Sequence, residues 1–246
     1  MNITVWCENY RQMREGEVKE AYPLGMGETI AAFLEKAGNK TTVVLQNEGD
    51  DGANLTDEIL GSTDVLFWWG HCYHDKVSDE LVKKIVDRVW KGMGIVFLHS
   101  AHFSKPFRAL VGGPCTLKWR EAAEKERLWF VEPNHQIFEG LEGEYLEIPH
   151  EEMYGEPFGI PQPDRLLAIG WFQGGEVFRS IAFFKRFFGK VIYFQPGHET
   201  YPVYQDPKIQ KLLTNIAEFV KPEKWQSEIK CPNVKPLEPI EKNKQT

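Results

Sequence analysis

The sequence predicts a single α/β domain built on a mostly parallel central sheet with antiparallel additions. Three observations carry this. Up to about residue 111, short apolar strands alternate with helical stretches, the rhythm of parallel strands joined by crossover helices. From about 115 to 190, strand-like runs follow one another with loops and few helices between them, as antiparallel strands do. The chain, 246 residues, is long enough to bury a full core.

Taken in order, Ile3 to Cys7 forms the first strand, ended by Glu8-Asn9-Tyr10-Arg11. A helix near Glu28–Ala37 stops at Gly38-Asn39, a common helix ending. Thr41–Leu45 is a β-branched strand, and Thr56 or Asp57 can cap the short helix that follows. Asp64–Trp69 is a buried strand. Ser78 to Trp90 is an amphipathic helix, with Leu81, Ile85 and Val89 on one row and Val82 and Val86 on the next. Gly92-Met93-Gly94 ends it, Ile95–Leu98 is the next strand, and Lys105–Val111 a short helix. The charge run Arg120–Arg127 predicts an exposed helix. Leu128–Val131, Tyr145–Ile148, Leu166–Gly170, Ile181–Phe184 and Val191–Phe194 are strands. Pro207–Val220 is the last helix, with Pro207 in its first turn. The domain covers residues 1–222, and 223–246 form a proline-rich tail.

Composition narrows the function. Acidic residues outnumber basic ones, 36 to 29, against a partner in nucleic acid or an anionic membrane, which demand a basic face. No apolar run approaches the ~18 residues that span a bilayer. The start, Met1-Asn2-Ile3-Thr4-Val5-Trp6-Cys7, lacks the features of a signal peptide, so a cytoplasmic location is expected. Cys7, Cys72, Cys115 and Cys231 are scattered without CxxC spacing, which predicts reduced thiols. Gly25 and Gly27 precede a helix, but there is no GxGxxG or P-loop, so no nucleotide cofactor is expected. Aromatic residues reach 13%, with eight tryptophans. Most belong in the core, but aromatic faces also suit the C–H surfaces of sugars, with Trp119 and Trp171 outside the central strands. The aromatic content and the tail are compatible with a homo-oligomer.

Six of the seven histidines follow strands: His71 and His74, His99 and His102, His150, and His198. The carboxyl ends of strands in an open parallel sheet are where ligands bind. One such histidine commonly caps a loop, but several polar rings in one cleft call for a function. Two chemistries fit. Imidazoles and a carboxylate from separate strand ends suit zinc or another divalent ion. Alternatively, a histidine performs metal-free acid–base work with Glu151, Glu152 or Glu199 orienting or sharing its proton. The strand–turn–helix at Gly94–Val111 has the layout of a nucleophile elbow, with His99 at its tip, or Ser100 if the register slips by one. Glu8 and Asn9, just past the first strand, face the same cleft or lie in a solvated loop.

The run Gly94-Ile95-Val96-Phe97-Leu98-His99-Ser100, with Trp69-Gly70-His71, His150-Glu151-Glu152-Met153-Tyr154 and Gly197-His198-Glu199, resembles the ThuA-like trehalose-utilisation family. That family is a branch of the class I glutamine amidotransferase-like superfamily, and the resemblance covers about residues 2–220. It implies a flavodoxin-like, three-layer α/β sandwich. It also implies that His99 stands where glutamine amidotransferases carry their catalytic cysteine, so that glutaminase activity is absent. His198 and Glu199 then lie near the position of the amidotransferase His/Glu pair. The implied context is carbohydrate, with keto-disaccharides as the substrate class.

The resulting expectation is a sugar-active enzyme with catalytic His99, His198 and Glu151, and with Glu8, Asn9, His71, Tyr154 and Glu199 on a small sugar ligand. A divalent metal, zinc by its ligands, is expected on His71, His99, His150 and His198. The contrasting expectation is a non-catalytic carbohydrate-binding or assembly module on the same fold, and a third an amidohydrolase using Ser100.

Overall fold

A computed structural model describes residues 1–240; the end of the expected tail, 241–246, lies outside the described residues. The first half runs β1 (Asn2–Glu8), α1 (Gly16–Ala21), α2 (Met26–Lys36), β2 (Lys40–Gln46), α3 (Asp57–Ser62), β3 (Val65–Trp69), α4 (Asp79–Lys91), β4 (Gly94–Leu98) and α5 (Lys105–Val111). The second half is β5 (Lys118–Phe130), β6 (Tyr145–Gly155), β7 (Arg165–Phe172), β8 (Val177–Arg186), β9 (Gly189–Phe194) and α6 (Pro207–Val220). All nine strands form one sheet in the order β2-β1-β3-β4-β9-β8-β7-β5-β6. From β2 to β9 the pairs are parallel; from β9 onward they are antiparallel.

The strand pleat divides the core in two. Ile3, Val5, Val65, Phe67 and Trp69 pack with α2 and α6, whereas Trp6, Leu66, Trp68, Ile95 and Phe97 pack with α4 and α5. Each central strand is apolar on both faces because helices cover both. Local signals set the helix ends. Ser78 accepts the Leu81 N–H at the start of α4, Asp206 accepts Lys208 and Ile209 at the start of α6, and Gly92 closes α4 with φ 136°.

Two expectations are corrected. The charge run Arg120–Arg127 is not a helix but the middle of β5. Burial there alternates with period two, Glu124, Glu126 and Leu128 inward, and the inward face carries glutamates where a strand pattern calls for apolar residues. The strand begun at Tyr145 does not stop at Ile148; β6 continues to Gly155, and its last five residues are all buried. Only residues 126–130 of β5 pair with β7, so the other half of the β5–β6 ribbon is free to lie over the core. Beyond α6, residues 223–240 carry no helix or strand, and Trp225 lies under the Arg88 guanidinium at 4.2 Å.

Glu126 is fully buried, with the Ser180 hydroxyl at 3.2 Å and the Gln195 amide nitrogen, turned toward it, at 2.8 Å. Burial, reinforced by the nearby Glu151 carboxyl, drives its pKa well above the ordinary 4.5. It therefore stays protonated when folded and ionises when unfolded, which costs stability as pH rises through 4.5 toward the folded pKa. Glu126→Gln has no proton to lose, so its stability relative to the native sequence should grow as pH rises from 4.5 toward the folded pKa, by at most about 1.4 kcal/mol per pH unit. Urea denaturation across that range measures it, and a pH-independent difference contradicts it.

Candidate active site at the strand ends

Three neighbouring strands build the floor. Trp69 of β3, Leu98 of β4 and Phe194 of β9 are paired in register, so the next residues, Gly70, His99 and Gln195, leave the sheet side by side. His99 does so with φ 49°, a left-handed conformation that costs a side-chain-bearing residue about 1–2 kcal/mol. Such strain concentrates at functional positions. It turns the imidazole into the protein, where it is fully buried.

Both ring nitrogens of His99 are engaged. Nδ1 lies 2.8 Å from the Gln195 carbonyl, which only accepts, so Nδ1 carries a proton. Nε2 meets Glu152 Oε2 at 3.0 Å, and the Tyr154 hydroxyl at 3.3 Å. The Tyr154 ring stacks on the imidazole with centroids 4.8 Å apart. Burial opposes a charge on His99, but the Glu152 hydrogen bond and the neighbouring Glu151 outweigh it and raise the pKa above the usual histidine value. Burial likewise works against a charged Glu152, and the bond to His99 overcomes it, holding that carboxyl below its usual range. The two groups are an imidazolium–carboxylate pair.

His198 closes the cluster from the loop after β9. Its Nδ1 lies 2.8 Å from the Thr200 hydroxyl, and its Nε2 lies 3.5 Å from Glu121 and 3.6 Å from Glu199. Burial and the positive His99 lower its pKa, so it is the neutral imidazole of the pair. One ligand atom from each of His99, Glu152 and His198 lies within 4.8 Å of the other two. His71 sits beside them, 3.3 Å from Glu199. Burial disfavours its charge, but the Cys72 thiol and Glu199 lift its pKa to about 9.

Two buried carboxylates hold the loops that carry these rings. Glu8 accepts the backbone N–H groups of His71, Cys72 and Tyr73 at 2.9, 3.0 and 3.1 Å. Glu151 accepts those of Gly197, His198 and Glu152 at 2.7, 3.1 and 2.9 Å. Burial raises Glu151 to about 7 despite His99 and those donors. Gly197 turns the second loop at φ 130°, where a Cβ would lie 1.9 Å from the Tyr204 hydroxyl.

Above the cluster lies a cavity of about 640 Å³, lined by His71, Glu152, Tyr154, His198 and Glu199 among others. His99, His198, His71, Tyr154 and Glu199 are thus brought together. Glu151 is not at the cavity; its oxygens are consumed by backbone, and adjacent strand residues face opposite ways, which gives the contact to Glu152 instead. His150 stands apart: because β6 does not end at Ile148, it is an exposed strand residue 3.3 Å from the Ala123 carbonyl. Glu8 acts on backbone, and Asn9 bonds Asn47 at 2.8 Å away from the cavity. Ser100 donates to the Gly70 carbonyl at 2.7 Å and no histidine activates it, so it is not placed as a nucleophile. His102, held at the Cys115 carbonyl and lowered to about 4 by burial, lines the cavity as a neutral ring. Sequence reasoning missed Glu121, which it assigned to an exposed helix.

The family model described as ThuA, trehalose utilisation, matches residues 2–220. The chain belongs to the ThuA family. A ThuA-like protein from Parabacteroides merdae shares the fold at a TM-score of 0.66, with 14% identity over 92% of each chain. Another ThuA-like protein, from Bacteroides uniformis, gives 0.62 and 15%, over 87% of this chain and 88% of that one. A cytoplasmic protein from Salmonella typhimurium gives 0.60 and 13%, over 89% and 99%. No curated protein matches the sequence. Among the described residues, no helix of this ThuA chain is long and apolar enough to cross a membrane.

Removing the Glu151 carboxylate should free the loop that carries His198 while leaving the sheet intact. In Glu151→Ala, amide exchange at Gly197 and His198 is expected to quicken about ten- to a hundredfold, the equivalent of one or two charge-assisted hydrogen bonds. Exchange in β4 should not change. Native protection at Gly197 and His198 in the variant contradicts this role.

Proposed function

We propose that this ThuA-family protein is a sugar-active enzyme whose reacting centre is His99, Glu152 and His198, with a divalent cation, zinc by its donor set, held by those three. The observation that carries the reading is the convergence of three buried ligand atoms within 4.8 Å, each imidazole having its Nδ1 fixed by a second partner. Ligating histidines are oriented in that way by the hydrogen bond on their other nitrogen, and a cation at His99 Nε2 would displace the proton shared with Glu152. His198 Nδ1 accepts from the Thr200 backbone N–H at 3.3 Å, so the neutral ring carries its proton on Nε2, toward Glu121 and Glu199, and ligation at Nε2 would require that proton to leave. When bound, the cation supplies Lewis-acid polarisation of a carbonyl or hydroxyl oxygen.

The chain's own groups do the rest. The Gln195 carbonyl fixes the His99 ring, and Glu151 fixes the loop of His198. Tyr154 packs flat against His99 and shields it from water. His71, charged below its raised pKa, presents a positive edge to a substrate oxygen in the cavity. Position 99 carries no thiol, so glutaminase chemistry is not part of the proposal. The fold is read as the three-layer arrangement of the amidotransferase-like class, and a cytoplasmic setting accords with the free thiols of Cys7, Cys72, Cys115 and Cys231. The 3.0 Å bond between His99 and Glu152 supports a second reading, metal-free acid–base catalysis by that pair.

Metal analysis after exhaustive dialysis tests the first reading. The native chain should retain about one zinc per molecule, and His99→Ala and Glu152→Ala less than about a tenth of that, with native circular dichroism. Folded native protein that takes up no zinc refutes the cation, and variants that keep it refute the ligand set.

A further inference from the structure

Glu126 is a buried acid that the proposed centre does not use. It sits on β5 where the strand pattern calls for an apolar residue, and its partners are as deeply buried: Ser180 of β8 and Gln195, just beyond β9. With its nitrogen turned toward them, the Gln195 amide lies 2.8 and 3.1 Å from the two Glu126 oxygens and 3.2 Å from the Ser180 hydroxyl. That hydroxyl donates to Glu126 Oε1 at 3.2 Å. β7 makes room for these groups with Gly170, where a Cβ would stand 2.5 Å from Glu126 Oε1. A buried polar set is costly unless its members are paired, and once paired it fixes the geometry of whatever it joins.

What this set holds is Gln195. The side chain of Gln195 faces Glu126, while its backbone carbonyl accepts the His99 Nδ1 proton at 2.8 Å. The peptide that carries this carbonyl joins Gln195 to Pro196, so it has no N–H of its own to anchor it. The Gln195 N–H belongs to the preceding peptide and is paired with the Ser180 carbonyl at 2.8 Å. The other nitrogen of His99 meets Glu152 at 3.0 Å. Glu126 and Glu152 lie on β5 and β6, the paired strands of one ribbon, with Glu126 opposite Ile148. The ribbon therefore addresses both nitrogens of one imidazole, Nε2 directly and Nδ1 through Gln195.

We infer that Glu126 is a positioning residue of this site: with Ser180 it clamps Gln195, so that the Gln195 carbonyl holds His99 Nδ1 and aims Nε2 at Glu152. The inference rests on the reading of His99 as part of the reacting centre. It extends that centre to Glu126, Ser180 and Gln195, none of which lines the cavity. Partners that orient a functional histidine from behind act on its precision rather than on the ligand itself.

The test compares the native full chain with Glu126→Leu, Glu126→Gln and Leu213→Ala, the last a buried residue of α6. Two quantities are read: the NMR resonance and exchange rate of the His99 Nδ1 proton, and the affinity for zinc. In Glu126→Leu that proton should exchange about tenfold faster and move upfield as its bond to the carbonyl loosens. Zinc should bind about tenfold more weakly, the lower end of the loss that follows removal of an outer partner of a ligating histidine. Glu126→Gln keeps an acceptor oxygen for the Gln195 amide and should restore both. Leu213→Ala should lower the urea midpoint while leaving the resonance and the zinc affinity native. An unchanged His99 proton in Glu126→Leu overturns the inference, as does an equal change in Leu213→Ala. Should Glu126→Leu not fold, Ser180→Ala removes one arm of the clamp, and a native His99 proton in that variant overturns it. A native chain that takes up no zinc refutes the cation alone, because the His99 proton still reports the role of Glu126 in the same samples.

Discussion

The confinement of one imidazole organises this molecule. His99 leaves the central strand in a left-handed conformation, loses all contact with water, and is held between a backbone carbonyl on one nitrogen and a carboxylate on the other. A buried charged ring without both partners would be too costly to keep. The strain at φ 49° persists because β3 and β9 flank β4 on both sides, and because the Tyr193 hydroxyl donates to the His99 carbonyl at 3.0 Å. The partners come from distant parts of the chain, Gln195 from just beyond β9 and Glu152 from β6, the strand at the far end of the sheet. The β5–β6 ribbon reaches the centre because half of it is released from β7 and folds over the strand ends.

Buried glutamates are the second theme. Five of them serve four purposes that environment alone distinguishes. Glu8 and Glu151 each gather three backbone N–H groups and so fix a loop. Glu126, with only a hydroxyl and an amide beside it, is kept neutral. Glu152 is ionised against His99, and Glu199 meets His71 at 3.3 Å and His198 at 3.6 Å, its Oε2 making no hydrogen bond. The same residue type thus supplies anchoring, a neutral core acid, a charge partner and an open acceptor within one cleft.

Much of this was legible in the sequence. The parallel half of the sheet, α4, α5 and α6 follow from apolar periodicity and capping residues, because their inward positions are apolar. Placing His71, His99 and His198 at three strand ends required only the rule that ligands gather beyond the carboxyl ends of a parallel sheet. What could not be read was β5, whose inward residues are Glu124 and Glu126, and the full length of β6, interrupted in pattern by Pro149 and His150. Those two facts decide the site, since they exclude His150, turn Glu151 toward backbone and deliver Glu152, Trp119 and Glu121. Strand register has a period of two, so a one-residue ambiguity exchanges a cavity-facing carboxylate for a loop anchor.

X-ray absorption at the zinc edge of the zinc-loaded protein tests the central claim most directly. Two imidazole nitrogens and carboxylate or water oxygen are expected at about 2.0–2.2 Å, with one imidazole lost in His99→Ala and in His198→Ala alike. Sulfur at about 2.3 Å, or a spectrum unchanged by either substitution, would show that the metal sits elsewhere and that His99 is not its ligand.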